Sequence, residues 1–346
     1  MQRICTSLAN NGFKVTLIGR NLPASAPLSA QWPFEQKRFN MWFQKGKLFY
    51  ITYNLCLFWH LLTTPYDIYG AIDLDTLLPH YLVARIKKKP FTYDAHEYFA
   101  ELPEIVTRPW VRRAWKALEK YIVPRTQYAY TINQTYADLF KKEYNTDFQV
   151  IRNATVLRPL EIPEKKEQYI LYQGAVNVGR GIEQMIEAMQ YIKGCKLYIC
   201  GTGDVYDDCV ALSVRLGLTD SVKFWGRIAP DQLRQFTLHA TLGFTLFTRQ
   251  GLSYYYSLAN RFFDYFHCGV PQLCMDYPEY KHINNLFEIA VLLDNLNPQH
   301  IAQKVNELLN NPQYYHYLQD NCLKARQKIN WQEEEIKLIA LYRSLA

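Results

Sequence analysis

The feature that most constrains this chain is a recurrence. Apolar and β-branched runs of five to seven residues keep returning between segments of helical character. In the first part they are FKVTLIG (13–19), YDIYGAI (66–72), PFTYDA (90–95), YAYTIN (128–133) and QVIRN (149–153). A stretch rich in Pro, Glu and Lys follows, Pro159 to Lys166, and the pattern restarts with YILYQG (169–174), CKLYICG (195–201), VKFWG (222–226), TLGFTLF (241–247), PQLCMD (271–276) and AVLLD (290–294). Strands that alternate with helices bury both faces of a parallel sheet, so each part predicts a doubly wound α/β domain. The predicted architecture is α/β, two Rossmann-like domains facing a cleft: 1–158, 159–328, and a C-terminal helix at 329–346 that returns to the first domain. Asn311-Pro312 opens a long helical stretch that breaks near Asn330-Trp331 and continues to Tyr342.

A 346-residue chain that is 49% hydrophobic can fill two cores of ordinary size. Its eight cysteines form no CxxC pair and show no metal-ligand spacing, which reads as reduced thiols in a cytoplasmic protein without a zinc site. The longest aromatic and aliphatic run, Leu48 to Leu62, is too short and too polar to span a bilayer. Charge is uneven. Residues 1–160 carry 21 Lys and Arg against 12 Asp and Glu, whereas residues 161–346 carry 18 against 20. The cations of the first part are interleaved with aromatics in KRFNMWFQKGKLFYITYNLCLFW (37–59) and RPWVRRAWKALEKY (108–121), read as basic amphipathic helices, and Lys87-Lys88-Lys89 adds to them. Such helices lie on anionic membrane surfaces or, more commonly one by one, pack on a core with a solvated charged face. No nucleic-acid-binding motif accompanies them.

The second part holds the motifs. In LYQGAVNVGRGIEQMIEAM a strand ends at Gly174, and a loop with Gly179, Arg180 and Gly181 leads into a helix. Such a loop suits a phosphate, with Arg180 as a guanidinium fork. Gly201-x-Gly203 follows the next strand, but Tyr206 stands where a dinucleotide fingerprint needs its third glycine, which argues against a nicotinamide or flavin enzyme. In SYYYSLANRFFDYFHCGVP (253–271), Asn260 and Asp264 are one helical turn apart, Arg261 adjoins Asn260, and Phe262, Phe263 and Phe266 form an apolar face. Alone, that polar set reads better as a solvated helix face. Asp73-Leu-Asp75 reads as a strand end with Asp75 as helix N-cap rather than as a metal site.

Taken in order, YQG, GRGIEQMIEAM, LYICGTG, LGLTDSVKFWG and SLANRFFDYFHCGVPQ resemble the nucleotide-binding domain of the retaining nucleotide-sugar glycosyltransferases of the GT-B fold, the large family numbered 4. ICTSLANNGFKVTLIG, PYDIYGAIDLDTLLP, TYDAHEYFAE, TINQTYADLFKKEY and VIRNAT resemble its first domain, so the likeness covers most of the chain. The resemblance implies that Arg180 meets the donor pyrophosphate beside Gly174, with Gly201 and Gly203 close by. It makes Asp264 the second acid of the family's paired-acid motif, which holds the ribose hydroxyls. Arg261 then faces the phosphates beside Asn260, and His96 lies near the transferred sugar. The donor would be a UDP- or GDP-linked sugar. The acceptor would be a glycan or lipid-linked acceptor of polysaccharide or lipopolysaccharide synthesis, met at the inner face of the cytoplasmic membrane. No cofactor and no metal are expected.

Three departures qualify this. Tyr256 replaces the first acid of the pair, and Ala175 replaces the Arg that commonly follows the first loop glycine. The strand and Gly-loop that precede the first helix in the family do not precede MQRICTSLANNG, so the first sheet is expected to lack its central strand. A non-catalytic nucleotide-sugar-binding or scaffold protein, or a sugar-nucleotide epimerase, are the alternative readings.

Overall fold

The computed structural model describes residues 1–22, 25, 27–163 and 168–345. Residues 164–167 of the expected linker lie outside them. The chain divides into two units, Met1–Arg152 with Glu333–Ala346, and Asn153–Gln332.

In the first unit, β1 (Thr16–Asn21) pairs with β2 (Glu35–Asn40), and β3 (Tyr69–Ile72), β4 (Phe91–Ala95), β5 (Tyr128–Thr131) and β6 (Gln149–Val150) form a second sheet in that order. Every pairing is parallel. The two sheets share no strand pair, and a cavity of about 920 Å³ opens between them, lined by Thr16, Leu17 and Ile18 of β1 and by Tyr69, Gly70 and Ala71 of β3.

β2 went unread in the sequence. EQKRFN carries five polar residues and no buried alternate face, so it lacks the period-two signal and falls largely within the predicted basic helix. The helix of that region, α2, begins only at Gly46 and runs to Thr63. The 108–121 segment is helical as predicted, at Pro109–Ile122. The two terminal helices run Pro312–Lys328 and Trp331–Arg343, with the break where it was expected. The end of the chain is held in the first unit by Tyr342, whose hydroxyl lies 3.1 Å from Thr92 Oγ1, and by Glu334, which pairs with Arg152 at 3.2 Å.

The second unit is a single six-stranded parallel sheet, β12-β11-β10-β7-β8-β9, made of β7 (Tyr169–Gln173), β8 (Lys196–Cys200), β9 (Val222–Gly226), β10 (Leu242–Thr245), β11 (Gln272–Met275) and β12 (Ala290–Leu293). β7 and β10 are buried along their whole length, as central strands covered by helices must be. The sheet order reverses between β7 and β10, which places the loops after β7, β8 and β10 at the topological switch point, where open α/β sheets bind ligands.

Candidate functional site: a two-arginine cradle at the strand ends

Three loops meet beyond the C-terminal ends of β7, β8 and β10. The loop after β7 and the GTG loop after β8 are zipped together by backbone: Gly174 N–H donates to the Cys200 carbonyl at 3.0 Å, Val176 N–H to Thr202 at 3.1 Å, and Val205 N–H to Val176 at 3.1 Å. This contact explains the two glycines. A Cβ on Gly201, whose φ is 152°, would sit 1.8 Å from the Gly174 carbonyl oxygen, and one on Gly203 would sit 2.3 Å from that of Val176. Both are needed for loop-on-loop packing. Gly174 itself takes φ 132° and leaves a gap filled by the Arg261 guanidinium, 3.7 Å from where its Cβ would be.

The helix Asn260–His267 is laid on β10 without a gap: Gly243 presents bare backbone to the Tyr265 ring, Tyr265 donates its hydroxyl to the Leu171 carbonyl at 2.8 Å, and Gln272 caps the Phe262 carbonyl at 2.9 Å. Phe262, Phe263 and Phe266 are buried as predicted, but so are Arg261, Tyr265 and His267. A solvated polar face is therefore excluded. Arg261 is 7% exposed. Its guanidinium carbon lies 4.9 Å from the Tyr172 ring centre and 4.7 Å from that of Phe247, while its Nε and Nη2 are buried with no hydrogen-bond partner among the described residues. Arg180, the residue before Gly181, sits 5.1 Å from the same Phe247 ring and 4.8 Å from Tyr254, again with a buried, unpartnered Nε.

Two guanidiniums thus flank one phenyl ring, and no carboxylate pairs with either among the salt bridges of the described residues. Cation–π contact offsets part of their desolvation, but buried N–H donors without acceptors cost free energy. An arrangement of this kind is chemically complementary to an anion with several acceptor oxygens.

Asp264 lies one helical turn after Asn260 in this helix, half-buried where Asn260 at the helix start is exposed. Its Oδ1 accepts the Thr155 hydroxyl at 2.5 Å and its Oδ2 the Gln173 side-chain amide at 2.9 Å, so both oxygens already hold partners from the chain. Tyr256 ends the short helix Gly251–Tyr255, and Ala175 is exposed in the loop after β7. The rings under the arginines, Tyr172 of β7, Phe247 after β10 and Tyr254 of the short helix, were missed in the sequence because aromatics in apolar runs read as core.

His96 lies in the first unit, just past the end of β4. Its Nε2 is 2.8 Å from Asp94 Oδ2, and its backbone N–H donates to Asp73 Oδ1 at 2.8 Å. Burial works against the imidazolium, but the Asp94 carboxylate outweighs it, with Asp73 assisting, and His96 is raised to about 9. Burial lifts Asp73 to about 8, although His96 acts against the shift. Asp73, not Asp75, is the N-cap residue of α3 (Leu74–Lys87), and it makes no side-chain cap bond. It takes a left-handed φ of 55° and spends its carboxylate on His96 instead. That arrangement holds the histidine in place rather than the helix end.

Residues 157–325 match the family described as Glycosyl transferases group 1. Among curated proteins no sequence relative is found. Several solved structures are similar over nearly the whole chain. Sucrose-phosphate synthase from Thermosynechococcus elongatus superposes with a TM-score of 0.81 at 16% identity, covering 99% of this chain and 92% of its own. The Anabaena protein HepE in complex with UDP and glucose gives 0.77 at 15%, covering 99% and 96%. WaaG, a glycosyltransferase involved in lipopolysaccharide biosynthesis, gives 0.74 at 16%, covering 97% and 92%. The fold throughout is that of the GT-B glycosyltransferases, and residues 157–325 match the glycosyl transferases group 1 family.

Proposed function

We propose that the chain is a glycosyltransferase that moves one sugar from a nucleoside diphosphate donor to an acceptor hydroxyl with retention of configuration. The observation that carries this is the pair Arg180 and Arg261 on the shared Phe247 ring, with buried N–H groups that lack acceptors, at the strand ends of the segment that matches the group 1 family. A diphosphate supplies those acceptors, and its charge rises as the sugar leaves, so the same two side chains would stabilise the departing nucleotide more than the ground state. No metal is required in this reading. Gly174, Gly201 and Gly203 let the loops close beneath the phosphates, and Asn260 stands at the rim of the cradle. Asp264 holds the cradle's floor through Gln173 and Thr155 and meets the ribose only if it exchanges one of those partners. His96 is the residue of the first unit assigned to the transferred sugar, held by Asp94 and Asp73. A leaving phosphate oxygen takes the acceptor proton.

UDP is the first donor nucleotide to test, since HepE is described in complex with UDP and glucose. The acceptor class is a lipid-linked or polyanionic glycan met at an anionic membrane surface at the inner face of the cytoplasmic membrane, as the cationic first part and the likeness to WaaG favour. The engagement of both Asp264 oxygens favours one competing reading, a protein of this fold that binds nucleotide sugar without transferring it.

The test is thermal-shift titration with UDP, GDP and ADP, followed by donor turnover with lipid-linked acceptors. Stabilisation by one nucleotide that Arg180→Ala and Arg261→Ala both abolish supports the donor site. Binding without turnover across the acceptor set transfers the conclusion to the binding protein, and no binding to any nucleotide overturns both.

A further inference from the structure

Helix α2 presents a contradiction that its own sequence cannot resolve. Between Glu35 and Asp67 the chain has no acidic residue and four cations, Lys37, Arg38, Lys45 and Lys47. Within α2, Phe49, Tyr53, Leu57 and Leu61 recur every four residues and are buried, Leu57 almost completely. This is the core face, and one apolar stripe is all that a surface helix of a globular domain needs. Yet Leu48, Ile51, Leu55 and Trp59, at intervals of three, four and four, form a second apolar stripe, each more than half exposed. Trp42, just ahead of the helix, is 96% exposed. A helix that is apolar all round belongs in an interior, and this one has only one face in the protein.

The surroundings say what covers the other face. α3 packs against α2 and exposes Leu78, Leu82 and Ile86 at four-residue spacing, with Arg85 and Lys88 exposed at its end. Lys45 and Lys47 are exposed at the opposite end, where α2 begins. No helix among the described residues is long and apolar enough to cross a membrane. An apolar stripe with tryptophans and cationic ends, and no acid across thirty-one residues, is complementary to the boundary between acyl chains and anionic headgroups, where such a helix lies flat.

We infer that the outer face of α2 seats the protein on an anionic bilayer, with Ile51, Leu55 and Trp59 entering the acyl boundary and Lys45 and Lys47 meeting lipid phosphates. This gives a location on the molecule to the membrane contact in the proposed function. It does not depend on the donor site, because none of its residues belongs to the second unit.

The experiment is co-sedimentation of the full chain with vesicles of phosphatidylcholine alone or with 30% phosphatidylglycerol, with tryptophan emission and light scattering recorded in parallel. Expected are partition onto the anionic vesicles only, a blue shift of the emission, and loss of binding at high salt. Lys45→Gln with Lys47→Gln lowers the partition coefficient about twenty-five-fold, roughly fivefold for each lysine, and Ile51→Ser with Leu55→Ser abolishes the blue shift. Both pairs point outward, so thermal midpoints stay unchanged and a folding defect is visible if present. Equal binding to neutral vesicles, or no binding by folded protein, overturns the inference. So does a dimer in light scattering that Ile51→Ser with Leu55→Ser dissociates, which would make the face a self-association surface. Nucleotide-induced stabilisation in the same preparation reads the donor site separately.

Discussion

Gln173 donates its side-chain amide to Asp264 Oδ2 at 2.9 Å while its own carbonyl oxygen accepts the Thr237 hydroxyl at 2.7 Å. The Asp264 carboxylate, which only accepts, fixes which end of the Gln173 amide faces it, and the Thr155 hydroxyl closes the set from the other side. The result is a directional chain that ties the end of β7 to the helix behind the cradle. Asp264→Ala removes both acceptor oxygens and leaves the Gln173 amide and the Thr155 hydroxyl without this partner. Equilibrium unfolding of that variant should show a loss of about 1–3 kcal/mol, without any nucleotide present.

Arg261 has the opposite signature. A buried guanidinium with unpartnered nitrogens is a cost borne by the empty protein, and replacing such a group by an apolar side chain of similar reach is neutral or stabilising. Arg261→Met should unfold at an equal or higher midpoint, by up to about 2 kcal/mol, and should lose the midpoint rise on adding nucleotide. A variant that is merely destabilised, with nucleotide response retained, would assign Arg261 to the core.

The two kinds of glycine can be separated by experiment. Gly201→Ala forces a Cβ against the Gly174 carbonyl and should cost about 2–4 kcal/mol through strain and displaced backbone. Gly194, at φ 72°, has open space where a Cβ would be, so Gly194→Ala should cost only about 1–2 kcal/mol. Chemical denaturation of the two variants side by side measures the difference.

The Asp73, Asp94 and His96 cluster makes stability depend on pH. His96 binds its proton more tightly in the folded chain, about 9 against 6.5, so its contribution is complete below pH 6.5 and is lost as pH rises through 9. Asp73 is also raised, to about 8, and a carboxyl that resists ionisation in the fold costs stability as pH rises from 4 to 8. Both act in the same direction. The thermal midpoint should fall between pH 6.5 and 9, and His96→Gln should flatten that slope. An unchanged slope would place the titration elsewhere.

The sequence by itself determined the alternation of strands and helices, because burial on both faces of a parallel sheet demands continuous apolar runs that are visible without partners. Eleven of the twelve strands among the described residues fall in such runs, and β2 does not because five of its six residues are polar. The glycines and Arg180 were also legible as residue types in loops that follow such runs, whereas Arg261 and His96 were singled out only by the family resemblance. What tertiary structure decided is which groups they meet. Local spacing put Asp264 beside Asn260, but Thr155 and Gln173, 109 and 91 residues away, claim its carboxylate. Phe247 became a shared seat for two cations only because β10 lies next to β7. Hydrogen bonds and ring contacts between distant segments depend on the register of the sheet, and no periodicity in the chain encodes that register.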